Sequence, residues 1–125
     1  MKQIVIRSGQ VAMEAELNDH PTALLVWDAL PLEGRANTWG DEIYFEIPVK
    51  TGTEKDAQEE VEIGDLCYWP PGHAFCIFFG PTPVSISDKP RAYSPVNILG
   101  QVIGETTAFR KVKNGDIVLL ERKAT

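Results

Sequence analysis

The residues best suited to bind a ligand are aromatic side chains beside two turns. Trp39 and Tyr44 lie on either side of a Gly-Asp turn. Tyr68 and Trp69 directly precede Pro70-Pro71-Gly72. Such rings combine apolar contact area with a polar edge, and the prolines give a rigid wall that loses little freedom on binding. We therefore predict an outer groove that binds a small molecule or peptide. Its residues are Asn37, Trp39, Tyr44, Glu46, Tyr68, Trp69, Pro70 and His73.

These residues also have purely structural interpretations. Trp39 and Trp69 would plug the ends of a barrel, each burying about 150–250 Å². Glu46 fits a strand residue that faces solvent, because carboxylates are seldom buried. His73 fits an exposed turn residue, as a lone histidine in a turn usually is. Both interpretations stay open on the sequence alone.

No set of residues with catalytic or metal-binding spacing stands out. Ser85, Ser87, Cys67 and His73 are present, but nothing in their spacing brings a nucleophile and a base together. The two histidines and two cysteines do not follow a metal-ligand pattern. The sequence therefore predicts no metal and no cofactor, and it leaves any catalytic residue unknown.

The two cysteines fall on the two arms of a predicted hairpin. Cys67 and Cys76 each lie in a short apolar run, and Pro70-Pro71-Gly72 separates the runs. A disulfide between facing strands is conceivable, but isolated thiols in apolar strands are usually buried and free. We predict that both are reduced and buried.

The pattern along the chain predicts many short strands and two short helices. Apolar residues alternate over 4–17 and 43–47, and further strands are expected over 96–103 and 116–120. A helix is predicted from Ala23 to Leu30, preceded by a cap at Asn18 or Asp19, and a second begins at Thr106 or Thr107. The segments 51–62 and 81–95 are predicted to be loops. This order, without β-α-β alternation, favours a barrel or sandwich in a single domain, residues 1–125.

Composition limits the partners and the location. The net charge of −6 and the pI near 4.8 argue against binding to nucleic acid or to an anionic membrane, since phosphates attract a basic face. The longest uncharged apolar run, Ala74–Phe79, is far shorter than the roughly 18 residues that a membrane span needs. We expect a soluble, cytoplasmic protein of unknown oligomeric state.

Three unusual strings carry a resemblance to a known family. They are Asn-Thr-Trp-Gly-Asp-Glu-Ile-Tyr-Phe at 37–45, Tyr-Trp-Pro-Pro-Gly at 68–72 and Phe-Phe-Gly-Pro-Thr-Pro at 78–83. With them the chain resembles, over nearly its whole length, the small prokaryotic cyclophilin-like proteins of uncharacterised function. The resemblance implies a mainly β fold, namely a closed eight-stranded barrel with two short helices. It implies no established reaction.

Three further local strings are Ile-Pro at 47–48 after a strand, Gly72 before Phe-Cys-Ile at 75–77, and Ile-Leu-Gly at 98–100 before Val102. With them as anchors the chain more distantly resembles true cyclophilins, which are peptidyl-prolyl cis-trans isomerases. The catalytic arginine of that family falls on Phe45, its glutamine on Ala74 and one of its phenylalanines on Cys76. Its tryptophan falls near Arg91 and its histidine on Val96. Isomerisation needs a donor that stabilises the twisted amide, whose barrier is about 18–20 kcal/mol, and phenylalanine supplies none. A binding module is therefore our first hypothesis, an isomerase the second and another enzyme the third.

Overall fold

The protein is mainly β. A computed structural model describes residues 2–124, which form ten strands, one α-helix and two 3-10 helices. The 3-10 helices are Pro70–Gly72 and Thr106–Lys111. The other elements are β1 (Lys2–Ser8), β2 (Val11–Leu17), α1 (Pro21–Ala29), β3 (Leu32–Arg35), β4 (Asn37–Thr38), β5 (Glu42–Glu46), β6 (Gln58–Glu60), β7 (Asp65–Trp69), β8 (Ala74–Phe78), β9 (Arg91–Ile103) and β10 (Ile117–Arg122).

The strands form an antiparallel sheet that does not close. Their order is β3-β10-β1-β2-β9-β7-β8-β5-β4, and β6 pairs with β9 outside this path. Within residues 2–124 no ladder joins the end strands β3 and β4, although one residue, Ala36, separates them in the sequence. The mainly β fold with short helices is confirmed, but the predicted closed eight-stranded barrel is wrong.

The backbone around Ala36 explains the opening. The Ala36 N–H donates to the Asp116 carbonyl at 2.7 Å, and the Ala36 carbonyl accepts from Gly115 N–H at 2.7 Å. Both backbone groups of Ala36 thus bond to the turn before β10, and the two residues that follow, Asn37 and Thr38, pair with β5 and not with β3. The Phe45 ring lies between β3 and β5, so close to Gly34 that an added Cβ would come within 2.6 Å of its Cδ2. Side chains therefore pack in the space where backbone pairing between β3 and β4 would be needed to close a barrel.

The local predictions for the helices and the central hairpin agree with the structure. Helix α1 starts at Pro21, and the chain leaves the helix before Pro31. The predicted cap at Asn18 or Asp19 is wrong, because His20 is the N-cap residue and no side chain caps the helix. Strands β7 and β8 pair with Cys67 opposite Cys76, and the turn between them is the 3-10 helix at Pro70–Gly72. Pro-Pro-Gly specifies this turn locally, because proline presets φ and the short segment needs no distant partner.

Two predicted loops contain strands. Strand β9 begins at Arg91, so the irregular connection after Pro81 is shorter than expected. Strand β6 lies inside the polar segment 51–62, where Val61 is fully buried. Strand β6 pairs with the first part of β9, and such a long-range contact leaves no local pattern in the sequence.

The central strands separate two hydrophobic clusters. Because side chains alternate across a strand, Ile43 and Phe45 of β5 enter the main core, whereas Tyr44 packs against a second, smaller cluster. The members of that second cluster are Val61, Cys67, Ala74, Cys76, Phe78, Ala92 and Val96. Within the described chain, no helix is long and apolar enough to cross a membrane.

Candidate functional site

The tight hairpin between β4 and β5 brings Trp39 and Glu42 together. Trp39 N–H donates to the Glu42 carbonyl at 3.0 Å, and Glu42 N–H donates to the Trp39 carbonyl at 3.2 Å. Gly40, the first residue of the two-residue loop, has φ +60°, as a type II′ turn requires. Any Cβ at Gly40 would also lie 2.9 Å from the Thr82 Cα. The glycine therefore permits both the turn and the close approach of the Thr82 segment.

A cavity of about 280 Å³ opens beside this hairpin, above the second cluster. We call it the aromatic cavity. Its side chains come from four parts of the chain, namely the β4–β5 turn, the β5 face opposite the main core, the end of β7 and the first half of β9. Its lining residues are Trp39, Glu42, Tyr44, Trp69, Ala92, Tyr93 and Val96.

The rings of the aromatic cavity stand at steep angles to one another. The Tyr93 ring lies 6.3 Å from the Trp39 ring at 70° and 6.2 Å from the Trp69 ring at 90°. Edge-to-face pairs of this kind are favourable because the positive edge of one ring meets the negative face of another. The Trp69 indole N–H also donates to the Ser94 hydroxyl at 2.7 Å, which holds that ring in place.

Glu42 places a carboxyl group in the wall of this mostly apolar cavity. It is only 6% exposed, and burial raises its pKa from the usual 4.5 to about 7, against a smaller opposing effect of a hydrogen bond with the Cys76 thiol. The Cys76 Sγ is also 3.7 Å from the Ala74 carbonyl oxygen. Among residues 2–124, no Lys, Arg or His forms an ion pair with Glu42. The carboxyl group therefore titrates near neutral pH without a protein countercharge.

The structure brings together three of the eight predicted site residues. Trp39, Tyr44 and Trp69 all line the aromatic cavity. Tyr68, the neighbour of Trp69, points the other way into the main core and is fully buried. Its hydroxyl donates to the Val49 carbonyl at 2.5 Å. The alternation of side chains along β7 separates these two rings, so Tyr68 is not available to a ligand in the cavity.

The other four predicted residues lie around the cavity and do not line it. Asn37 is exposed, and its side-chain amide donates to the Tyr44 carbonyl at 3.2 Å. Glu46 is exposed at the end of β5, opposite Ala74. Pro70 and His73 belong to the turn beyond Trp69, where His73 has φ +48°. Any role of these residues in binding stays a prediction.

Four lining residues were missed from the sequence: Glu42, Tyr93 and the small apolar residues Ala92 and Val96. Glu42 shares its β5 face with Tyr44, so the alternation that selected Tyr44 and Glu46 also pointed to Glu42. Tyr93 is 73% exposed and lies in a segment that was predicted to be an irregular loop. No local signal identified it, because β9 takes its place through pairing with β6 and β7.

The predicted burial of both cysteines agrees with the structure, in which Cys67 and Cys76 are free thiols. Burial raises the pKa of each thiol well above its usual value, and the nearby Glu42 carboxyl adds to the effect. We expect a thiol-reactive dye to find no fast-reacting group in the native protein and two groups after denaturation. Rapid reaction of both thiols under native conditions would contradict their burial.

A second cavity of about 270 Å³ lies on the other side of the β4–β5 hairpin. Asp41 and Arg110 in its wall already form an ion pair at 3.5 Å, Lys113 adds a second positive charge, and Phe79 is the one aromatic residue of the lining. In the part of the chain that the structure describes, no group of three His, Cys, Asp or Glu residues is placed to hold a metal ion. The aromatic cavity is therefore the stronger candidate site.

Comparison with known proteins agrees with the architecture. A family model described as cyclophilin-like matches residues 2–121. The chain belongs to the cyclophilin-like family. This cyclophilin-like protein is similar to a hypothetical protein from Archaeoglobus fulgidus of known solution structure, with 39% identity and a TM-score of 0.81. The match covers 98% of this chain and 95% of the archaeal one. The predicted resemblance to cyclophilin-like proteins is thus confirmed.

A second solved structure shares the fold at lower identity. It is McbB in complex with tryptophan, with 20% identity and a TM-score of 0.71. The match covers 98% of this cyclophilin-like chain but only 45% of McbB, and at this identity it shows the fold alone. No match is found among curated proteins.

Proposed function

We propose that this cyclophilin-like protein is a binding module that takes a small molecule or peptide into the aromatic cavity. The observation that carries the proposal is the convergence of four aromatic rings on a cavity of about 280 Å³ with a buried carboxyl group in its wall. Ligand sites are typically concave and largely apolar, with a few placed polar groups that orient the ligand. The aromatic cavity has this composition.

The binding surface is largely formed before a ligand arrives. The Trp69 ring is held by Ser94 and by its edge contact with Tyr93, and the hairpin fixes Trp39 beside Glu42. A surface whose side chains are already ordered loses less conformational entropy on binding. The tryptophan bound to McbB belongs to that protein, but it is a reasonable first compound to test here.

The structure does not favour the isomerase alternative. Phe45, at the position of the catalytic arginine, is 1% exposed and packs in the main core against Phe75. Ala74, Cys76 and Val96 lie together in the second cluster, next to the cavity. The four positions carry apolar side chains or a thiol, and none of them offers a strong hydrogen-bond donor to a twisted amide.

A ligand screen by NMR tests the proposed function. With tryptophan, other metabolites and short peptides, we expect chemical-shift changes to cluster at Trp39, Glu42, Trp69 and Tyr93. Trp39→Leu should weaken binding about tenfold, because a ring in the wall supplies much of the contact area. Trp27→Leu, on helix α1 away from the cavity, is the matched control and should bind normally. Shifts that cluster instead around the Thr106–Asn114 segment would overturn the placement of the site.

A further inference from the structure

We propose that the group recognised in the aromatic cavity is an alkylammonium ion, with the Glu42 carboxylate as its countercharge and the surrounding rings as its walls. This inference rests on the proposed function, because it names the chemistry of the ligand for the same site. It arises from the charge, the ring arrangement and the size of the cavity, which are considered in turn.

The charge of the cavity favours a cation. Glu42 is the one charged residue of the seven that line it, and within residues 2–124 no basic side chain pairs with this carboxyl group. An anionic ligand would meet a like charge there. A neutral ligand would leave the carboxyl group protonated, because a buried unpaired charge is unfavourable. A cation supplies the missing countercharge.

The rings favour an organic cation over a metal ion. The tryptophan rings offer no lone pair to a metal ion, and one carboxyl group with two phenol oxygens falls short of the roughly six oxygen ligands that a hard metal ion takes. The π faces of all four rings, by contrast, attract ammonium groups. Quaternary and alkylated ammonium ions are recognised by cages of such rings. Because the Tyr93 ring stands at a steep angle to both tryptophan rings, the three rings form walls on different sides of the cavity and not a flat stack.

The size of the cavity favours a compact group. Its volume of about 280 Å³ lies just below the roughly 300–1,000 Å³ that is typical of ligand pockets. An alkylammonium group from a free metabolite or from a modified lysine side chain has suitable dimensions. Both sources share the same recognition chemistry, and the experiment below separates them.

Choline and its neutral carbon isostere, dimethylbutanol, provide the first test, since they have the same shape and differ in charge. The protein has three tryptophans, whose indole N–H signals report binding separately. We expect choline, at about pH 8, to shift the Trp39 and Trp69 signals and to bind at least about tenfold more tightly than dimethylbutanol. The Trp27 signal should not move, because Arg122 already lies 4.5 Å from its ring centroid.

Glu42→Gln and Glu46→Gln are the matched variants. Burial raises the pKa of Glu42 to about 7, so its carboxyl group is mostly charged at the pH of the experiment. Glu42→Gln keeps the volume and removes the charge, and it should reduce the preference for choline over dimethylbutanol to the smaller preference that the rings alone provide. Glu46→Gln changes an exposed carboxylate on the same strand and should leave the preference intact. An unchanged preference in Glu42→Gln would overturn the role of this carboxylate.

The remaining outcomes separate this inference from the proposed function. If choline does not shift the cavity signals, or binds no better than dimethylbutanol, the alkylammonium inference is overturned. The binding function survives that result when other compounds of the screen shift the same signals, and it fails when none does. A blocked trimethyllysine peptide completes the series. Tighter binding of the peptide than of choline identifies a protein side chain as the source, and the reverse order identifies a free metabolite.

Discussion

Glu42→Gln should raise the free energy of unfolding, relative to wild type, by about 3 kcal/mol more above pH 7 than near pH 4.5. Burial raises the pKa of this carboxyl group from 4.5 to about 7, so the folded protein keeps a proton that the unfolded chain releases. Between these two pH values the wild-type protein therefore loses stability as the pH rises, and above about pH 7 the loss is complete. Glutamine carries no charge at either pH, so the variant does not lose stability in this way.

Urea unfolding at about pH 4.5 and about pH 8 measures the effect. The difference between variant and wild type isolates Glu42, because the effects of groups that both proteins share, such as the buried Asp65, cancel. The thiols of Cys67 and Cys76, which face Glu42 from β7 and β8, have raised pKa values and remain neutral over this range. Glu46→Gln serves as the exposed control on β5. A pH-independent difference for Glu42→Gln would show that the carboxyl group is not buried as described.

Tyr68→Ala should cost about 3–5 kcal/mol of unfolding free energy, as expected for an aromatic side chain removed from a packed core. The Tyr68 ring is fully buried and its hydroxyl group donates to the Val49 carbonyl. Trp39→Ala should cost much less, because that ring is only half-buried and borders the aromatic cavity. The two neighbouring turns thus hold one ring that stabilises the fold and one that is available to a ligand.

Denaturant unfolding of both variants, with Tyr68→Phe as a third, checks this assignment. Tyr68→Phe keeps the ring but leaves the Val49 carbonyl oxygen without its donor, which should cost about 1–3 kcal/mol. If Trp39→Ala destabilises the protein as much as Tyr68→Ala does, Trp39 is a core residue and the aromatic cavity loses its principal wall.

The sequence by itself determined the features that depend on neighbouring residues. Alternating apolar residues specified β1 and β2, Pro21 and Pro31 bounded α1, and Pro70-Pro71-Gly72 specified the turn between β7 and β8. The same strings indicated the cyclophilin-like family, which the match over residues 2–121 shows. These features are predictable because proline, glycine and side-chain alternation act over a few residues.

The tertiary structure alone decided which aromatic residues meet and whether the sheet closes. Trp69 and Tyr93 are far apart in the chain and come together through the pairing of β7 with β9, whose register shifts between Leu66 and Cys67. The sheet stays open because the backbone of Ala36 bonds beside β10. Glu42 looks like any strand carboxylate in the sequence, and it acquires a raised pKa only because distant strands bury it. Burial and register arise from long-range contacts, which no local pattern specifies.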